Sequence, residues 1–330
     1  MSQEVMVSVL CTVYNHAPYL RQCLESLVTQ ETNFCYEVVV HDDASTDESA
    51  SIIREYEAAY PEIIRPIYQT ENQYSKRIPI NHTFTFPASR GKYIAVCEGD
   101  DYWCDTHKLQ KQFDAMEANP QCTLCVHTVQ GVDVEGVPNG KRFPQVAPPD
   151  GIVRGRDLIA DVLVGTAYPF QTSGYFYRKS LYWPRREEIE FMFRVRTGDT
   201  ARLLYLGHCG DIYFINDIMS CYRMNVTGSW SAKNKKDMSF RIQSLREFNT
   251  FLAEYDVYTN GAYHEEVQAA IHEREFRILK NEYNVKAMKA PPYRALYRAM
   301  SLPERVCYTL VQYLPFTKGA VHALRQRMTS

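Results

Sequence analysis

No run of about 18 uncharged apolar residues, the length a helix needs to cross a bilayer, occurs in the chain. The opening residues Met1-Ser2-Gln3-Glu4 also lack the basic and then apolar pattern of a secretory leader. The expectation is therefore a cytoplasmic protein without a membrane span. The segment Thr12-Val-Tyr-Asn-His-Ala-Pro18 contains no glycine, so it cannot be the G-x-G-x-x-G turn of a dinucleotide-binding fold. Nor is it the glycine-rich, basic loop that a nucleotidyltransferase places after its first strand. Strong charge of one sign is missing too: the net charge of −2 gives no global reason to expect nucleic acid. The ten cysteines do not frame a short disulfide scaffold, and Cys122-x-x-Cys125 has no second pair to complete a zinc site. Both cysteines fall in a strand-like segment and are read as buried thiols.

What is present is an alternation of apolar runs and amphipathic stretches over the first 130 residues, the pattern of an α/β sheet with crossover helices. Strands are expected at Val5–Thr12, Tyr36–His41, Ile63–Gln69, Tyr93–Cys97 and Thr123–Thr128. Helices are expected at Pro18–Thr29, Asp47–Ala59, Ile78–Ser89 and Thr106–Ala118. Ser45 and Glu48 have the spacing of a capping box, and Asp105 that of an N-cap. Residues Gly131 to Gly151, rich in Gly and Pro, read as a long loop between two halves. A helix near Arg156–Val164, a strand near Thr172–Tyr177, a helix over Gly198–Gly207 and a short strand at Ile212–Ile215 follow. Beyond Asn234 the pattern is helical, with segments at Lys236–Tyr255, Tyr263–Lys289, Tyr293–Met300 and Pro303–Tyr313.

Acidic residues mark the ends of two of these strands. Glu98-Gly-Asp-Asp-Tyr-Trp103 follows Tyr93–Cys97, and His41-Asp-Asp-Ala-Ser-Thr-Asp47 ends the second strand. In an open α/β sheet, ligands bind beyond the carboxyl ends of the strands. Clustered carboxylates repel one another, and Mg²⁺ or Mn²⁺, which takes oxygen ligands and bridges phosphates, gives them a reason to coexist. Asp100 and Asp101 are thus candidate metal ligands. Capping accounts for Ser45 and Asp47 but not for Asp42 or Asp43.

Together, Val7-Ser-Val-Leu-Cys-Thr-Val-Tyr-Asn15, His41–Asp47 and Glu98-Gly-Asp-Asp101 resemble glycosyltransferase family 2, in order and in separation. The resemblance covers the first 130 residues and extends to about Trp230. It implies a GT-A fold, a Rossmann-like and mostly parallel sheet flanked by helices, with inversion at the anomeric carbon. It also implies a nucleotide-sugar donor, a UDP-sugar being favoured, bound with Mn²⁺ or Mg²⁺. Carried over, Thr12, Tyr14 and Asn15 line the nucleotide, with Tyr14 stacking on the base and Asp43 accepting a hydrogen bond from it. Asp100 faces the ribose or metal, Asp101 is the main metal ligand, and Lys76 or Arg77 reaches the diphosphate. Inversion needs a carboxylate on the acceptor side to take the hydroxyl proton. The matching place is Asp199, which a bare helix cap would also explain, with Glu187, Glu188 and Glu190 as rivals in the preceding segment. Tyr222-Arg-Met-Asn-Val-Thr-Gly-Ser-Trp230 resembles the family's closing loop, giving Arg223 and Trp230 as donor contacts, with Asn225 where many relatives carry histidine.

The organisation expected is a donor half over 1–130, an acceptor half over 131–233 and a helical extension over 234–330. Rival readings are a catalytically silent nucleotide-sugar-binding module and a nucleotidyltransferase. From Lys286 to Ser330 eight Lys or Arg face one acid, Glu304, so this segment carries +7. Interleaved with Leu310, Tyr313 and Phe316, it is suited to an anionic membrane surface. That points to peripheral membrane contact and to a glycan or lipid-linked acceptor in cell-surface polysaccharide synthesis.

Overall fold

The structure is a computed structural model that describes residues 4–165, 170–226, 229–314 and 316. It divides into two compact units, residues 1–232 and 233–330.

The first unit is built on one ten-stranded sheet. Its leading part runs β1 (Val5–Val13), α1 (Ala17–Val28), β2 (Cys35–Asp42), α2 (Ser49–Ala59), β3 (Ile64–Tyr68), α3 (Phe86–Ala88) and β4 (Tyr93–Val96). Strands β3, β2, β1 and β4 lie side by side and all parallel. Both faces of such a sheet are covered, so its strands read as continuous apolar runs, and Val38, Val39 and Val40 are all buried. Leu20, Cys23, Leu24 and Leu27, at helical spacing on α1, pack into the same core as Val9, Cys11 and Cys97.

The chain then turns through β5 (Tyr102–Trp103) into α4 (Lys108–Ala118), β6 (Cys122–Val132), β7 (Pro138–Phe143), β8 (Gly151–Val153), α5 (Gly155–Val164), β9 (Phe176–Arg178), α6 (Gly198–Cys209) and β10 (Asp211–Arg223). Antiparallel β9 joins β4 to β6, β10 is parallel to β6, and β5 closes the order as an antiparallel partner of β10.

Several local expectations need correction. The long loop at 131–151 contains the β6–β7 hairpin, because Asp133 Oδ1 accepts the N–H groups of Glu135 and Val137 and Gly136 takes the positive φ of the turn. Ser45 and Glu48 form no capping box: Ser45 Oγ accepts from Asn15, and Asp47 Oδ1 takes the Ser49 N–H. The helix expected at Ile78–Ser89 is a π-turn at Asn81–Thr85 followed by α3. The strand at Thr172–Tyr177 begins with a 3₁₀ turn and shifts to β9. Gly207 does not end its helix; α6 continues to Cys209, and Gly207 lies within it against α5, where a Cβ on Gly155 would sit 2.1 Å from the Gly207 carbonyl oxygen. The short strand at Ile212–Ile215 is the thirteen-residue β10, irregular at Ile215–Ser220.

The link to the second unit is α7 (Trp230–Lys236). The second unit holds α8 (Met238–Tyr258), α9 (His264–Asn281), α10 (Val285–Met288), α11 (Arg294–Ala299) and α12 (Leu302–Tyr313). The helix expected over Tyr263–Lys289 is broken at Tyr283, whose φ is +56°, and restarts where Asn284 caps α10. Ser301 and Glu304 form a true capping box on α12. No helix among the described residues is long and apolar enough to cross a membrane.

Candidate active site

The carboxyl ends of β1, β2 and β4 converge, and the acid turn sits on them. Gly99 N–H donates to the Thr12 carbonyl at 3.0 Å, and Asp101 N–H to Glu98 O at 2.9 Å. Only glycine fits at 99: a Cβ there would lie 2.9 Å from His16 Nδ1 and from Val13 Cγ2. Asp100 and Asp101 are buried, and Asp101 Oδ1 accepts the Arg223 N–H at 2.8 Å. The Arg223 side chain braces the turn rather than reaching outward. Its Nε donates to Asp100 O at 2.9 Å, one terminal nitrogen to Val134 O at 2.9 Å and the other to Gln22 Oε1 at 2.7 Å.

The β1–α1 and β2–α2 loops are tied together by side chains. Asn15, in the left-handed region with φ +55°, donates its N–H to Ser45 Oγ and accepts the Thr46 N–H on Oδ1 at 2.7 Å. His16 N–H bonds Ser49 Oγ and Ala17 N–H bonds Asp47 Oδ2, both at 3.0 Å. This lattice leaves the Tyr14 ring 44% exposed at the rim. Asp43 is buried, and its two carboxylate oxygens take the N–H groups of Gln73 at 2.8 Å and Tyr74 at 3.0 Å, so it shapes the loop that carries Lys76. Lys76 pairs with Glu71.

On the other side, Asp199 lies in the first turn of α6, after Thr197 as the N-cap, and its Oδ1 accepts the Thr200 N–H at 2.7 Å. The Asp199 carboxyl is raised above the ordinary range by desolvation, with the Thr200 N–H and then Arg202 pulling it back. Glu98 keeps an exposed side chain but stands among enough protein to be pushed up to about 8, first by desolvation and then by Asp100 and Asp199. Asp101 is pushed up by burial first and then by Asp100 and Glu98. Acids from two separate parts of the chain therefore share one electrostatic neighbourhood.

The family model of glycosyl transferase family 2 matches residues 8–199, more than half of the chain. The chain belongs to that family. An uncharacterized protein of Mycobacterium tuberculosis is 33% identical over 226 residues, covering 68% of this chain but only 60% of the mycobacterial protein's own length. Two solved structures share the fold. TarS of S. aureus in complex with UDP-GlcNAc has a TM-score of 0.60 and 16% identity, with 92% of this chain and 79% of that one covered. The mannosyltransferase PcManGT of Pyrobaculum calidifontis, in complex with GDP-Man and Mn²⁺, has a TM-score of 0.51 and 16% identity, with 96% and 83% covered.

Within this family 2 chain, the site brings together Thr12, Tyr14, Asn15, Asp100 and Asp101 at the strand ends, with Arg223 behind the turn. Asn225 is exposed, with φ +65°, just beyond β10. The Trp230 side chain and residues 227–228 of the closing loop lie outside the described residues. Among the described residues no group of three His, Cys, Asp or Glu side chains is gathered to hold an ion. The donor set still fits a hard cation. Asp100 and Asp101 offer buried carboxylate oxygens side by side, with burial and then Asp100 raising the Asp101 carboxyl and Arg223 only partly offsetting it, and Mg²⁺ is commonly held by one or two carboxylates, with substrate phosphates completing its shell. Two residues escape a reading of the sequence: Glu98, part of the acid motif but assigned no role by it, and Arg202, buried beside Asp199. Its spacing three residues after Asp199 was the available signal.

Proposed function

We propose that the chain is a metal-dependent inverting glycosyltransferase that moves a sugar from a nucleoside diphosphate donor to an acceptor hydroxyl. The observation that carries this reading is the shared electrostatic neighbourhood of the acid turn after β4 and of Asp199 on α6. One supplies oxygen ligands at the strand ends where a diphosphate binds, and the other supplies a carboxylate facing it from a different part of the chain. A divalent cation bound at Asp100 and Asp101 would neutralise charge developing on the departing diphosphate. In this reading Asp199 takes the acceptor proton as the hydroxyl attacks the anomeric carbon from the face opposite the leaving group. The exposed Tyr14 ring offers a stacking surface for the base. Asp43 and Arg223 act behind the site by fixing the 73–74 loop and the acid turn. Residues 1–130 form the donor half, 131–233 the acceptor half and 234–330 a helical extension.

A UDP-sugar is the favoured donor, supported by the UDP-GlcNAc bound to the structural relative TarS; Mn²⁺ or Mg²⁺ is the expected ion. The acceptor is a glycan or lipid-linked precursor at the cytoplasmic face of a membrane. Leu302, Val306, Leu310 and Tyr313 recur at helical spacing on α12 and are all exposed, in a segment rich in Lys and Arg. Lys318, Arg325 and Arg327 of that segment lie outside the described residues. Absence of binding to phosphatidylserine vesicles at low salt would remove the membrane element alone.

The deciding experiment is a thermal-shift panel of UDP, GDP, CDP and TDP, each with Mn²⁺ and with EDTA. A ligand at 100 times its Kd adds about 2.7 kcal/mol. One diphosphate should raise the midpoint only with metal. Asp199→Asn should keep that shift and lose transfer by about 10²–10⁴-fold. No response to any diphosphate overturns the reading.

A further inference from the structure

Two neighbouring donor atoms between α6 and β9 are buried with nothing to bond. Arg202 is only 8% exposed, yet its Nε has no hydrogen-bond partner, and the buried Tyr177 hydroxyl has none either. The Arg202 guanidinium stands 5.4 Å from the ring centre of Tyr177 and 5.8 Å from that of Tyr182. Contact with the rings fixes the guanidinium in place but gives its Nε–H no acceptor. No carboxylate among the described residues lies within 4.0 Å of it to form an ion pair, and Asp199 Oδ1 is taken by the Thr200 N–H at 2.7 Å. Arginine keeps its charge in a protein, and a buried charge without a partner is costly.

The place of these donors in the fold indicates the group they suit. Tyr175 and Tyr177 share one face of β9, which runs antiparallel to β4 with Phe176 opposite Ala95 and Tyr177 opposite Ile94. Tyr175 is therefore nearer the carboxyl end of β4, where the acid turn follows, and its hydroxyl donates to the Asp199 carbonyl oxygen at 3.5 Å. Tyr177 lies two residues, roughly 7 Å, farther along the strand. Arg202 lies three residues, less than one turn, beyond Asp199 on α6.

We propose that Arg202 and Tyr177 bind an oxyanion of the acceptor, a phosphate or a carboxylate carried beside the hydroxyl that attacks, so that the substrate is an anionic chain rather than a neutral one. The inference rests on the reading of the Asp199 side as the acceptor side. A planar guanidinium matches two oxygens of a phosphate or carboxylate at once, and the Tyr177 hydroxyl adds a donor from the ring beneath it. The negative oxygens accept from both buried atoms and give the Arg202 charge its partner. Lysine at 202 would keep the charge but lose the fork.

The test is NMR of the arginine Nε–H groups in the full chain, labelled with nitrogen-15 arginine, with Arg202→Lys identifying the signal. Glycerol phosphate and glucuronate are the anionic probes, and glycerol and glucose the neutral ones, all without metal. The Arg202 signal should shift saturably with at least one anion and with neither neutral probe, and the anion that binds tells phosphate from carboxylate. Tyr177→Phe, which keeps the ring, should weaken that binding about tenfold, and Arg202→Gln by more. The probe should stay bound when the responding nucleoside diphosphate is added with Mn²⁺. An Arg202 signal that neither anion moves, or undiminished binding by Tyr177→Phe, overturns the inference. So does displacement of the probe by the diphosphate, which would give Arg202 to the donor instead. The measurement on the unaltered protein decides even if a variant fails to fold. A chain that responds to no diphosphate would sink the transferase reading and leave the Arg202 titration to stand by itself.

Discussion

The two ends of the parallel sheet handle buried acids in opposite ways. At the amino ends of the strands, Glu37 has a fully buried side chain inside a cage. Ser8 Oγ donates to it at 2.6 Å, Arg65 at 2.8 Å, and Arg90 through both its N–H and its Nε at 2.7 Å. Desolvation alone would push its carboxyl up, but these bonds outweigh it and hold Glu37 below the ordinary value. At the carboxyl ends, Asp101 is 3% exposed, and repulsion from Asp100 and Glu98 adds to burial. One end has its electrostatics satisfied within the protein. The other leaves its acids crowding one another, with the Arg223 N–H and guanidinium only partly drawing Asp101 back.

The contrast breaks most directly at Glu37. Glu37→Gln should cost about 3 kcal/mol in urea denaturation, since a neutral amide cannot accept all the hydrogen bonds that Ser8, Arg65 and Arg90 donate to the buried carboxylate. Because the folded pKa of Glu37 is lowered, its stabilisation is complete above the unfolded value of 4.5 and is lost as pH falls through the lower folded value. The acid limb of stability should therefore flatten in Glu37→Gln, and an unchanged limb would contradict the cage. Next in size is Gly99→Ala. Its Cβ would press on Val13 and His16, costing about 1–3 kcal/mol and abolishing the metal-dependent thermal shift. Asp101→Asn sharpens the comparison by its sign: without metal it should stabilise by about 1 kcal/mol, because a raised carboxyl loses stability as pH rises past its unfolded value. A destabilised Asp101→Asn would show the turn to be structural. Smallest of all is Arg21→Ala, which removes an exposed pair with Glu55. It should leave the urea midpoint where it is.

Much of the parallel sheet was legible in the sequence, because β1, β2 and β4 are continuous apolar runs leading to Asn15, Asp43 and Asp101, and both features are local. Asp199 was legible as an acid at a helix start. Its relation to Glu98 was not, since a pairing across some hundred residues leaves no periodic trace. The hairpin at 131–151 was hidden for another reason: Gly136 and Gly140 marked a loop, whereas Gly136 takes the positive φ of the tight turn and Gly140 lies within β7. Ser45 carried the letter of a cap and spends it on a neighbouring loop instead, whereas Asp47 bonds both that loop and the Ser49 N–H of its own helix. The Glu37 cage was equally silent, because Ser8, Arg65 and Arg90 are unremarkable until the strands place them side by side.

Arg223 has one further consequence. Its main chain is bonded to Asp101 and its side chain to the backbone of the acid turn, to the β6–β7 turn and to Gln22 on α1. The backbone leaving β10 thus starts from a clamped point and changes hand at Asn225 immediately afterwards. Met224 is held as well, its N–H on the Val132 carbonyl, so the last residues of β10 are fastened to the very turn that carries the acids.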